Sequence, residues 1–229
     1  MTIEEGYLTY SILAKEGDNY AVATVTASVC VGAFVPHVFP NIGGVATQGF
    51  YTNRLYAQKV KEKLVEGLSA DAALSYAINA DDNREYRQII VLDQNGSTSG
   101  FTGCHNDADA GMICDKNIAV AGNRLHSHAV LENMLEGYQL KEGDLVLRLI
   151  NALECGFKAG GDRKGACSIA IKVVNMKKSP IDLRIDYGDQ EHIFSMVKAL
   201  YQRYLDDSFQ SFLNAIPTDG FYSKAGLNK

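Results

Sequence analysis

The chain has 229 residues, of which 46% are hydrophobic and 21% charged, a balance that supplies one buried core and excludes both a disordered and a membrane class. A formal net charge of -5, with the lysines scattered over Lys59, Lys61, Lys63, Lys116, Lys141 and Lys158, leaves no basic field for phosphates and excludes nucleic acid as a partner. The odd set Cys30, Cys104, Cys114, Cys155 and Cys167, together with a start (Met1 to Tyr10) that holds Glu4 and Glu5 and no signal-like apolar stretch, predicts reduced thiols, no export and a cytoplasmic location.

Strands open the chain. Leu8 to Ala14, Tyr20 to Thr26 and Cys30 to Phe34 are rich in valine, threonine and tyrosine, with a turn at Glu16-Gly17-Asp18-Asn19. A loop from Pro36 to Pro40 leads to Gly43-Gly44 and a strand from Val45 to Gln48. No Asp, Glu, Lys or Arg occurs between Asp18 and Arg54, but Thr24, Thr26, Ser28, Pro36, Pro40, Gly43 and Gly44 divide that stretch too finely for a membrane span. Such apolar runs fit strands covered on both faces. From Arg54 the period becomes helical, with Ala57, Val60 and Leu64 ending at Gly67. Ser69 then caps a second helix carrying Ala73, Leu74, Ala77 and Ile78. Arg87 to Leu92 and Thr98 to Thr102 form a hairpin around Asn95-Gly96.

Cys114 to Val120 reads as one short strand. Two helices follow, marked by Val130, Leu131, Met134 and Leu135 and by Leu145, Leu149, Ala152 and Leu153. Ala166 to Val174 is a strand, and Ile181, Leu183 and Ile185 alternate with charged residues on another. Ile193, Val197, Leu200, Tyr201 and Tyr204 mark a last helix, after which Asp206 to Lys229 reads as irregular. This order lacks strict strand-helix alternation. It predicts an α+β fold, two stacked, mainly antiparallel sheets between helical layers, with residues 1–8 as an extension, 9–205 as one domain and 206–229 as a tail.

Several groups have the chemistry for a site. Thr9 and Ser11 share one face of the first strand, although their sequence neighbours supply no base. Gln48, beside Thr47, is placed to hold a carbonyl or carboxylate or to satisfy a strand end. Gly160-Gly161-Asp162-Arg163-Lys164-Gly165 joins a helix to a strand, and its glycines allow Asp162 and Arg163 to approach closely; a solvated turn is the plainer reading. His128 and Glu132 are four apart and His126 is near, but no third metal ligand is indicated, and His37 is isolated. Cys104-His105 pairs a thiol with a base on a strand end where adjacent side chains diverge. No cofactor is indicated.

Tyr10-Ser11-Ile12-Leu13-Ala14, Val31-Gly32-Ala33-Phe34-Val35-Pro36, Val45-Ala46-Thr47-Gln48, Arg87-Gln88, Thr102-Gly103, Gly122-Asn123, the glycine-flanked turn at 160–165 and Asp182-Leu183-Arg184-Ile185-Asp186 occur in one order. In that order the chain resembles the domain of unknown function 1028 family, from about Thr9 to Tyr204. The resemblance implies an Ntn-hydrolase-like fold, a four-layer αββα sandwich, and a wider class that cleaves amide bonds with an N-terminal Thr, Ser or Cys whose α-amine is the base. An α-amine, with a pKa of about 7.7 to 8.0, suits that task. Family members commonly start with a threonine directly after the initiator methionine; Thr9 matches it, whereas here Met1 to Leu8 precede it. The implied function is hydrolysis of a small-molecule amide or other C–N bond. Thr9 or Ser11 attacks, Asp162 and Arg163 orient the site or bind a carboxylate, and Thr47, Gln48, Arg87 and Asn123 contact substrate. The alternative is a non-catalytic ligand-binding or assembly protein of the same fold. Layered sandwiches of this kind are expected to self-associate.

Overall fold

A computed structural model describes residues 9–106, 109–161 and 165–216. Among these residues ten strands lie in two antiparallel sheets. In chain order they are β1 (Thr9–Glu16), β2 (Asn19–Thr26), β3 (Pro36–Phe39), β4 (Gly43–Gly49), β5 (Arg87–Asp93), β6 (Thr98–Thr102), β7 (Gly111–Asp115), β8 (Ile118–Asn123), β9 (Ser168–Asn175) and β10 (Lys178–Ile185). The six-stranded sheet runs β10-β9-β2-β1-β8-β7, and the four-stranded sheet runs β3-β4-β5-β6.

The apolar runs are explained by burial on both faces. In β1, Tyr10, Ile12 and Ala14 pack outward with helical residues such as Met134 and Leu149, while Leu13 packs inward with Ala46, Ile90 and Leu92 of the other sheet. In β5, Ile90 and Leu92 face the partner sheet, and Ile89 and Val91 face helices. Each fully buried Leu or Ile contributes about 1.5–3 kcal/mol, so both sides of each central strand hold the sandwich together. Gly44 lets the sheets approach: a Cβ there would lie 3.0 Å from Leu13 Cδ2.

Helices α1 (Leu55–Val65) and α2 (Ala70–Asn79) cover the outer face of the smaller sheet through Tyr56, Val60, Ala73 and Leu74. Ser69 caps α2, its Oγ accepting from Ala72 N at 3.3 Å. The larger sheet is covered by α3 (Ala129–Leu140), α4 (Leu145–Lys158) and α5 (Ile193–Tyr204). Asp144 Oδ1 caps α4 by accepting from Leu147 N at 3.0 Å. The expected αββα order of layers is therefore present. No helix among the described residues is long and apolar enough to cross a membrane.

Four local expectations are corrected. Val31–Ala33, read as strand, is a 3-10 turn, entered through Cys30 at φ 58 and fixed by Val31 N donating to Ser168 Oγ at 3.1 Å. The Pro36 to Pro40 loop contains an edge strand, β3, where proline is tolerated because one side of the backbone is unpaired. The single strand at Cys114 to Val120 is two, β7 and β8, folded at Asn117 with φ 65. The irregular course expected after Asp206 contains α6 (Asp207–Ala215).

Candidate active site

The space between the sheets changes character along its length. Successive cross-strand rows of the larger sheet read Lys172-Val22-Leu13-Ala119, then Ala170-Thr24-Ser11-Ala121, then Ser168-Thr26-Thr9-Asn123. Opposite the last rows, Gln48 pairs with Gln88 and Gln88 with Thr102 across the smaller sheet. Thr9, Ser11, Thr24, Thr26, Gln48, Gln88, Asn123 and Ser168 are all buried. One end of the inner layer is thus apolar and the other polar, with Thr9 in its outermost row.

Buried polar groups require partners, and here they satisfy one another in a directed chain. Ser11 Oγ donates to Gln48 Oε1 at 2.6 Å and lies 2.9 Å from Thr24 Oγ1. Gln48 Nε2 donates to the Thr9 carbonyl at 3.0 Å and to Gln88 Oε1 at 2.7 Å. Asn123 Nδ2 also donates to Gln88 Oε1, at 3.2 Å. Gln88 Nε2 is within 2.8–3.0 Å of Gly122 O, Thr102 Oγ1 and Gly111 O. Both sheets are laced together, and the backbone of Thr9 is fixed from across the sandwich. Thr9 Oγ1 donates to Thr26 Oγ1 at 3.2 Å. Among the described residues, neither the Thr9 nor the Ser11 hydroxyl is hydrogen-bonded to a carboxylate, imidazole or amine.

Thr9, Ser11, Gln48 and Asn123 are brought together; Thr47 and Arg87 are not. A period of two turns Thr47 to the helical side, where its Oγ1 donates to Asn53 O at 3.1 Å. Arg87 likewise leaves the inner layer, donating from Nε to Asp81 Oδ2 at 3.1 Å and from Nη1 to Tyr51 O at 2.8 Å. Asp162 and Arg163 lie outside the described residues. The flanks of their turn meet neighbours of Thr9 and not its side chain, Gly161 lying on the helical face of β1. A Cβ on Gly161 would stand 3.2 Å from the Tyr10 ring, and Cys167 N donates to the carbonyl of Thr26, the cross-strand partner of Thr9, at 2.8 Å.

One member of this network was missed from sequence: Gln88 is the hub of the amide chain. Arg124 follows Asn123 directly with a left-handed φ of 53. Other candidates stand apart from the polar end. Cys104 is held at its N–H by Glu85 Oε2 at 2.9 Å, and a hydrogen bond to that carboxylate, ahead of burial, pushes its thiol pKa up, away from nucleophilic use. His128 Nδ1 is 3.8 Å from Glu132 on an exposed helix start. Among the described residues no group of three or more His, Cys, Asp or Glu side chains is arranged to hold a metal. A surface cleft of about 230 Å³ lies between β3 and the β9-β10 pair, lined by His37, Lys172, Pro180 and Asp182 among others. It contains none of the hydroxyl or amide groups around Thr9. Burial lowers the His37 pKa and the nearby Lys172 and Arg54 charges lower it further, against the hydrogen bond to the Phe34 carbonyl, which raises it.

Facing antiparallel sheets with helices on both outer surfaces make an αββα sandwich, the layer order of an Ntn-hydrolase-like fold. The chain belongs to the family of unknown function DUF1028, whose model matches residues 9–194. It is similar to the crystal structure of protein SPO2555 from Silicibacter pomeroyi, a DUF1028 protein, with TM-score 0.87 and 28% identity over 93% of this chain and 96% of that one. Matches also include eukaryotic HslV from Trypanosoma brucei (TM-score 0.42, 11% identity, 72% of this chain and 99% of that one). A third is Anbu, an ancestral beta-subunit, from Yersinia bercovieri (TM-score 0.41, 10% identity, 91% and 98%). No curated protein matches significantly.

Proposed function

We propose that this protein hydrolyses a small-molecule amide or other C–N bond, with Thr9 as nucleophile once the Leu8–Thr9 peptide bond has been cleaved. The observation that carries this reading is the setting of Thr9. It stands in the outermost row of a polar layer, its carbonyl fixed by Gln48 and its hydroxyl beside Thr26, and no side-chain base is bonded to it among the described residues. A hydroxyl so placed needs a base, and an α-amine on the same residue supplies one at working pH. The family match beginning at residue 9 adds support.

In this reaction Thr9 Oγ1 bonds to the amide carbon while its proton passes to the α-amine. The C–N bond then breaks, the leaving nitrogen takes that proton, and the acyl ester on Thr9 is hydrolysed by water. Asn123, the cross-strand partner of Thr9, gives one N–H to Gln88; its amide has a second, suited to the oxygen that gains charge in the transition state. Ser11 is the weaker candidate because its proton already goes to the non-basic oxygen of Gln48.

Intact mass spectrometry and turnover over a panel of small amides test this together. The expected result is a species beginning at Thr9, with turnover abolished in Thr9→Ala and retained in Ser11→Ala. Turnover surviving Thr9→Ala removes Thr9 from the chemistry. A second reading, a ligand-binding protein of the same fold, is favoured by one observation: Met1 to Leu8 precede Thr9 in the encoded chain, so unprocessed protein has no α-amine there. Only full-length mass and no turnover would support it. A cytoplasmic setting and homo-oligomeric assembly belong to the same proposal, supported by the five unpaired thiols and by exposed Phe209 and Phe212 on α6 with Ile216 just after it.

A further inference from the structure

The six-stranded sheet ends at β10 and the four-stranded sheet at β3, and the cleft of about 230 Å³ lies between these two edges. Lys172, on β9, forms part of its wall and is out of keeping with its row. That row continues through Val22, Leu13 and Ala119, all buried and apolar. Two residues back on the same face, Ala170 packs into the layer between the sheets. The Lys172 side chain is 23% exposed, so its stem lies along the edge of the core while its ammonium emerges beside Asp182, which also lines the cleft.

Asp182 stands directly across from Lys172 on β10 and is the carboxylate of the cleft. The two charged atoms are 3.7 Å apart, with the Asp182 side chain 49% exposed. That separation is too long for a hydrogen bond, and among the described residues neither side chain makes one to any other group. An ion pair so open contributes about 0–1 kcal/mol, so stability does not explain a lysine where an aliphatic side chain would close the core. The rest of the wall is mostly apolar, with Pro36, Val38, Val174, Pro180 and Ile181. At about 230 Å³ the cleft is smaller than the roughly 300–1,000 Å³ of sites for drug-sized molecules, which limits its occupant to one small metabolite.

An ion of one sign gains little in this setting, because it meets its own charge on one wall almost as closely as the opposite charge on the other. A dipolar group satisfies both at once. The ammonium and carboxylate of an α-amino acid are carried on one carbon, a spacing as close as that of Lys172 and Asp182. We propose that the cleft between β3 and the β9-β10 pair is a second binding site, for a free aliphatic α-amino acid, with the ligand carboxylate on Lys172, its ammonium on Asp182 and its side chain against Val38, Val174 and Ile181. The site is two cross-strand rows away from the row of Thr9 and does not depend on the hydrolase reading.

Calorimetric titration of the full-length gene product with leucine, isocaproate and isoamylamine tests the site. The second probe is leucine without its ammonium and the third is leucine without its carboxylate; none of the three contains an amide, so the result is independent of any turnover at Thr9. Leucine is expected to bind about tenfold or more tightly than either single-charge probe, the scale of one charge-assisted contact. Lys172→Met keeps the stem and removes the charge, and Asp182→Asn is close to isosteric, so both preserve the packing of the edge. Each is expected to weaken leucine about tenfold while leaving isocaproate and isoamylamine no weaker than leucine. No saturable binding of leucine by wild type, equal affinity for leucine and isocaproate, or undiminished leucine binding in both variants overturns the assignment.

Discussion

Gln88 has no exposed surface, accepts from Gln48 and Asn123 and donates toward Gly122, Thr102 and Gly111. Replacing it by leucine keeps the bulk but strands several buried groups at once, each costing about 1–3 kcal/mol if left unmet. Gln88→Leu is therefore expected to lose about 3–5 kcal/mol in urea denaturation; a loss below ~1 kcal/mol would mean the amide chain is not what joins the sheets. The sequence does not single out Gln88, although the Arg87-Gln88 pair is conspicuous. Ile89, Ile90, Val91 and Leu92 are all apolar and all buried, so β5 carries no alternation from which to tell its inward from its outward residue. The charged member of the pair then looks like the ligand contact, when it is the one turned away. For Thr9 and Ser11 the phase is legible because two hydroxyls alternate with Tyr10 and Ile12. The left-handed turn at Arg124 has no residue-type signature at all.

Asp81 ties α1, α2 and β5 together. Its Oδ2 accepts from Asn53 Nδ2 at 2.8 Å, Tyr56 Oη at 2.9 Å and Arg87 Nε at 3.1 Å, and its Oδ1 accepts from Asn83 N at 2.9 Å. Burial alone would raise this carboxyl, but the bonds from Asn53, Arg87, the Asn83 N–H and Tyr56 outweigh it and hold the pKa well below the ordinary 3.8. The folded value is depressed, so the stabilisation is fully present above the unfolded pKa of about 3.9 and is lost as pH falls below it toward the folded value. Asp81→Ala is expected to cost about 3–5 kcal/mol at pH 7, because Arg87 is left as a largely buried, unmatched charge. It should also flatten the decline of stability below pH 4, which urea curves at several pH values would reveal. An acid limb as steep as wild type would rule out Asp81 as its source. At this scale the helices were legible from their apolar stripes and caps, as at Ser69 and Val60. The β7-β8 fold-back was not, because Asn117 accomplishes it in a left-handed turn without glycine or proline. Helix α6 does carry a signal, Phe209, Phe212, Leu213 and Ile216 at helical spacing, but none of its residues is buried.

That exposed helix bears on the whole molecule. Leu205, Phe209, Phe212 and Ile216 are each at least 39% exposed, an apolar grouping of the kind that marks contact surfaces. If assembly uses it, Phe212→Ser should move sedimentation toward the 25.0 kDa particle; an unchanged larger species would put the contact elsewhere. Between the sheets, Gln48 and Gln88 use their amide protons to join them, and a ligand could recruit either one only by unpicking the sandwich. They form a rigid floor. If the proposed site takes a ligand, discrimination falls to the rim above, to Thr9 and Asn123, so substitutions there retune what is accepted while the scaffold beneath keeps its stability.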